Sequence, residues 1–139
     1  MFLDFDNYLL SDFSDDYWSD EGIGLAEKKL SLFLEDDWIV IQNEWRKRNS
    51  TWVIRCTDVL GDSDNINSMK LLISFLDQKN IELQIATLDS INALLNVNAG
   101  KIEIKTIFDL KSKVDSINHS SIVVNTMLTS LKNKLKQFS

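Results

Sequence analysis

The sequence predicts an all-α protein, and three observations carry that prediction. Proline is absent, so nothing imposes the ~3 kcal/mol penalty that breaks a helix interior. Only four glycines occur, Gly22, Gly24, Gly61 and Gly100, and they fall where helices would start or stop. Apolar residues recur with helical period along most of the chain. The length of 139 residues suits one domain, and 44% apolar residues are enough for a core without disulfides or metal.

Each element follows from its stripe. Phe2, Phe5, Leu9 and Phe13 lie at i, i+3, i+7 and i+11, which suits an N-terminal helix with acid on its other face. "LAEKKLSLFL" supplies Leu25 or Ala26, then Leu30 and Phe33. "DWIVIQNEWRKR" offers Trp38, Ile41 and Trp45, starting in acid and ending in cations as a helix dipole favours. "TWVIRCTDVL" gives Trp52, Cys56, Val59 and Leu60 after Ser50, with Gly61 as the expected C′ residue. "INSMKLLISFL" places Ile66, Met69, Ile73 and Leu76 behind an Asn65 cap. "IELQIATLDSINALL" places Ile81, Ile85, Leu88, Ile91 and Leu95 behind Asn80. "KIEIKTIFDLKSKV" sets Ile104, Ile107, Phe108 and Val114 on one side, although its opening alternation would also suit a strand. The last stripe is the clearest: Val124, Met127, Leu128, Leu131, Leu135 and Phe138, capped by Ser120 or Ser121. Lys132, Lys134 and Lys136 then sit where the negative end of the dipole favours them.

Short links favour antiparallel neighbours. The expected hairpins pair 37–48 with 51–60, 66–77 with 81–96, and 102–115 with 121–138. They recur at roughly 30–40 residues, the period of two-helix repeats. Residues 1–36 form an acidic N-terminal cap in this reading, and the chain is a single domain.

Charge and motifs exclude several function classes. The net charge is −6, against the clustered cations that nucleic-acid binding requires. Cys56 is the only cysteine and sits on an apolar helix face, which suits a small buried hydrophobe. The N-terminus lacks a basic region of signal-peptide type and no apolar run approaches the ~20 residues of a membrane helix, so the expected location is cytoplasmic. A calcium loop read back from Gly22 would start at Tyr17, which supplies no carboxylate, and after Asp62 and Asp64 the next ligand place is Ile66. His119 and Cys56 lie in unrelated contexts, so no zinc site is expected. No phosphate loop or nucleophile elbow occurs, and the neighbouring acids Asp15–Asp16 and Asp36–Asp37 lack a desolvating pocket that would tune them apart. The expectation is a protein that is not an enzyme and needs no cofactor.

The informative feature is charge asymmetry. Residues 1–44 hold twelve carboxylates against Lys28 and Lys29, a net of −10, so the remainder carries +4. Such a field steers a basic partner and raises association rates 10- to 1000-fold as an order of magnitude. Within "SDFSDDYWSDEG", Asp12, Asp15, Asp16, Asp20 and Glu21 surround Tyr17 and Trp18, and aromatic side chains serve as rigid interface anchors. Asp36 and Asp37 are expected as flanking charge. An ordinary capping helix with a solvated acidic face explains the same residues, and the two readings are compatible.

Residues 52–95 resemble HEAT-like repeats of the short bacterial type. The likeness rests on Arg55, Leu60, Gly61, Asp62, Leu72, Leu76, Asp77, Ala86 and Ala93. The proline usual after the turn Asp is missing, and Gln84 stands where Arg is usual. The pattern "DDYW", "EDDW", "WVIRCTDVLGD" and "ATLDSINAL" also resembles small immunity proteins of contact-dependent growth inhibition and related bacterial toxin systems. That resemblance implies a HEAT-like α-solenoid behind an acidic cap and a basic toxin domain, often a nuclease, as partner, with the chain a monomer or one half of a 1:1 heterocomplex. It implies inhibition by occlusion, with neither nucleic acid nor membrane bound directly. A scaffold or adaptor for a protein assembly is the alternative, and a small lyase on the same repeats is a third reading.

Overall fold

The computed structural model describes residues 1–117 and 121–138, apart from the side chains of residues 98 and 99. His119 and Ser120, expected as a surface histidine and one of two candidate caps, lie outside the described residues.

Every regular element among the described residues is helical. Helix α1 (Phe2–Leu9) buries Phe2, Phe5 and Leu9, while Phe13 packs against the core from beyond its end. Helix α2 (Asp15–Tyr17) runs through a π turn (Trp18–Gly22) directly into α3 (Ile23–Leu30). Helix α4 (Glu35–Glu44) tightens into a 3₁₀ turn (Trp45–Lys47). Then come α5 (Ser50–Leu60), α6 (Ile66–Phe75), α7 (Ile81–Asn98), α8 (Ile104–Ser116) and α9 (Ile122–Leu135).

Helices α3, α5, α7 and α9 lie side by side in one row. Helix α1 packs on α3, α6 on α7, and α8 on both α6 and α9, which makes a second layer. Helix α4 lies closest to α1 rather than to α5, its expected hairpin mate. Side chains of α4 and its 3₁₀ turn reach α6: Trp45 of the turn meets the Phe75 ring edge-on at 4.7 Å, and Ser74 donates to Gln42 of α4. One contiguous core runs from Phe2 to Leu135, so the N-terminal segment shares the core of the later helices.

Caps follow the expected chemistry closely. Asn65, Asn80 and Ser121 accept from the N–H groups of Asn67, Leu83 and Val124. For α5 the cap is Asn49, one residue before the expected Ser50, accepting from Trp52. Gly61 departs from expectation, since its φ of −63° is right-handed. Close approach is what favours glycine there: a Cβ would stand 3.0 Å from Ser90 Oγ, whose hydroxyl donates to Thr57 O. In the turns, Asp77 makes ion pairs with Arg46 and Lys113, and Ser63 accepts from Asn65 N.

Helix α8 is rotated from its expected face. Ile107, Leu110 and Val114 are buried, and Ile104 and Phe108 are 71% and 59% exposed. A stripe through Ile107, Leu110 and Val114 satisfies helical period as well as one through Ile104 and Phe108, and packing on α6 and α9 selects it.

Candidate acidic binding face

The acidic stretch starts from a good helix N-terminus. Ser14 Oγ accepts from the N–H of Tyr17, and Asp15 and Asp16 stand in the first turn, where the dipole favours negative charge. The π turn that follows widens the helix by one residue and turns Trp18 inward. Gly22 makes room for that ring, since a Cβ would lie 2.5 Å from Trp18 Cε3. Trp18 is therefore a core residue, 7% exposed, and the expectation of a surface anchor is corrected. Its indole N–H donates to Asp58 at 3.0 Å. The indoles of Trp38, Trp45 and Trp52 are buried without such a partner.

Tyr17 is half-buried. Its ring leans on Phe13 at 4.8 Å and its hydroxyl shares a 3.0 Å hydrogen bond with Tyr8. Burial first, and that bond second, push the Tyr8 phenol up to about 12. Arg55 closes the arrangement from α5. Its guanidinium donates to the carbonyls of Leu9 and Ser11 at 2.9 and 2.7 Å, reaches Phe13 O at 3.5 Å, and lies 5.2 and 5.4 Å from the Phe13 and Trp18 ring centres. The positive charge of Arg55 thus serves backbone oxygens and rings, and it forms no ion pair among the described residues.

What remains outside is acid. Asp12, Asp15, Asp16, Asp20 and Glu21 are exposed, and none forms an ion pair among the described residues. Other N-terminal acids are satisfied within the chain: Asp4 by Lys29, and Asp6 by Arg48. Asp36 is exposed on the first turn of α4. Asp37 is committed structurally, accepting from the N–H groups of Leu34 at 2.9 Å and Phe2 at 3.0 Å, so the flanking role expected of it passes to Asp36 alone. Those bonds, Leu34 first, hold its carboxyl below the usual range.

The fold adds acids that sequence reading missed. Asp15, Trp18 and Arg55 line one groove together with Asp58 and Glu82, from α5 and α7. Desolvation raises the Asp58 carboxyl above its ordinary value, with Asp62 and Asp89 adding to the rise and the Trp18 bond opposing it. Asp58 stands three residues after Arg55, off the apolar stripe, which is the only sequence signal it offers.

A raised folded-state value has a definite sign. Folding disfavours the Asp58 carboxylate, so the penalty is present at neutral pH and disappears as pH falls through the raised value. Asp58→Asn keeps an oxygen for the Trp18 indole and removes the charge. The variant is expected to show a higher urea midpoint than the parent at neutral pH, with the difference shrinking as pH falls and gone below about pH 3, under the ordinary carboxylate value. Equal midpoints at neutral pH would mean that this carboxylate costs the fold nothing.

Cys56 is fully buried, and desolvation first and Asp58 second push its thiol well up, so it does not present a thiolate. Among the described residues no three His, Cys, Asp or Glu side chains are grouped to hold a metal ion, and no helix is long and apolar enough to cross a membrane. Comparison with protein-family models, curated proteins and solved structures gave no match.

Proposed function

We propose that this chain is an immunity protein, a HEAT-like helical stack that binds a basic toxin domain in the cytosol and occludes it. One observation carries the reading: Asp15, Asp16, Asp20 and Glu21 stand exposed along α2 and the π turn with Asp12 just before them, and none of the five forms an ion pair among the described residues. Holding like charges together costs stability through mutual repulsion, and a cation-rich partner turns that cost into binding energy. The side-by-side row of α3, α5, α7 and α9 under a second layer supports the stacked-repeat form. The carboxylates would occupy the toxin's phosphate-binding cations and so exclude its substrate. Asp12, Asp15, Asp16, Asp20, Glu21 and Asp36 set steering and register. The exposed edge of Tyr17 supplies apolar contact, while Trp18 acts from beneath by holding Asp58.

The adaptor reading draws on a different surface. Leu32, Leu34 and Ile39 are 60%, 64% and 58% exposed around the start of α4, which suits apolar docking without inhibition. A co-expression assay separates the two. A toxin domain captured with this chain at low salt should arrest growth when expressed alone, and growth should return with the parent chain. A variant carrying Asn or Gln at positions 15, 16, 20 and 21 should lose most of that rescue while keeping its helical circular dichroism. Full rescue by the variant would discard the acidic face as the inhibitory surface.

A further inference from the structure

The row of helices also separates charge by distance. α3, continuous with the acidic α2, lies at one end of the row and α9 at the other, with α5 and α7 between them. Residues 1–44 carry a net −10, residues 45–100 balance, and residues 101–139 carry seven lysines against three carboxylates. On the last helix pair a groove floored by Val114 and Leu135 is lined by Lys111, Lys132 and Lys136 against a single carboxylate, Asp115. Phe108 and Ile104 extend this surface along α8, and Lys111 Nζ lies 5.6 Å from the Phe108 ring centre. An end helix pair of a stacked array ordinarily presents a polar outer face. Here exposed apolar side chains share the surface with Lys111 and Lys132.

We infer that this basic, apolar end receives the acidic N-terminal end of a second copy of the chain. The occupant follows from charge complementarity: the α8–α9 groove, with three lysines to one carboxylate, calls for acids set beside apolar surface, and the stretch from Asp12 to Glu21 offers them with the half-buried Tyr17. The contact joins different surfaces on the two copies, so a pair keeps one free end of each kind and further copies add head to tail, into a ring or an open filament. A basic partner on the acidic end and a neighbouring copy would then compete for the same carboxylates. The inference stands apart from the toxin reading, because it concerns the free protein and needs no other component.

Sedimentation velocity of the purified chain tests it. At about 20 mM salt the weight-average mass should climb steadily with concentration past that of a dimer, and at about 500 mM it should return to the 16.0 kDa monomer. The variants Lys111→Glu/Lys132→Glu and Asp16→Lys/Asp20→Lys, checked for parental helicity by circular dichroism, should each remain monomeric. An equimolar mixture of the two should associate again, because each supplies the charge that the other has lost. Monomer mass throughout at low salt overturns the inference. So does a species that stops at two copies, or association in either variant alone.

Discussion

Arg48→Met is expected to destabilise the fold by about 3–5 kcal/mol, because it strands Asp6 as a buried charge without its partner. The guanidinium holds Asp6 through two bonds, Nε to Oδ1 at 2.8 Å and Nη2 to Oδ2 at 2.7 Å, and Asp6 is 5% exposed. The same group lies 6.0 and 5.8 Å from the Phe2 and Trp52 ring centres, so it joins α1 to α5. The bond to Asp6 is the main cause of its raised basicity. Arg48 therefore stays charged throughout the range where the protein folds, and titration offers no substitute for mutation. A double-mutant cycle in urea supplies the check. Asp6→Leu/Arg48→Met should recover much of the loss, since no orphan charge is left. A loss below about 1 kcal/mol for the single variant would mean that water reaches Asp6 freely.

Arg55→Ala is expected to release the stretch between α1 and α2 with less effect on the rest of the core. Hydrogen bonds from a charged donor are worth about 1.5–3 kcal/mol each, and this side chain serves the carbonyls of Leu9, Ser11 and Phe13. Amide exchange near residues 9–13 should quicken by about 10- to 100-fold, while α7 and α9 keep their protection. Arg55→Lys should fall nearly as far, because one ammonium cannot span several carbonyls as a planar fork does. Unchanged exchange in both variants would show that the Phe13 and Trp18 rings alone hold the segment. The consequence for function is preorganisation: Asp12 and the α2 acids lose their fixed spacing, and ordering them again on contact weakens binding.

Much of this molecule was legible before its structure. Trp38, Ile41, Trp45, Trp52, Cys56 and Leu60 are buried as their period requires, and Asn65 and Asn80 cap the helices that they precede. Period alone could not separate two overlapping stripes on α8, and only the neighbours α6 and α9 decide that Phe108 faces outward. Trp18 shows a second limit. An aromatic among five carboxylates reads as surface, yet a π turn and the missing Cβ of Gly22 carry its ring into the core. Asp58 and Glu82 shared no local pattern with residues 12–21, since the groove that unites them exists only once α5 lies beside α3 and α7. The acidity of the face was readable from composition. Its extent was a product of packing.

The claim that the acidic face steers a basic partner is tested most directly by the association rate with the captured partner as ionic strength rises. The account predicts that the parent's rate falls steeply with salt, and that the variant neutralised at Asp15, Asp16, Asp20 and Glu21 starts at least 10-fold slower at low salt with a shallow slope. Parent and variant rates that coincide at every ionic strength would contradict it.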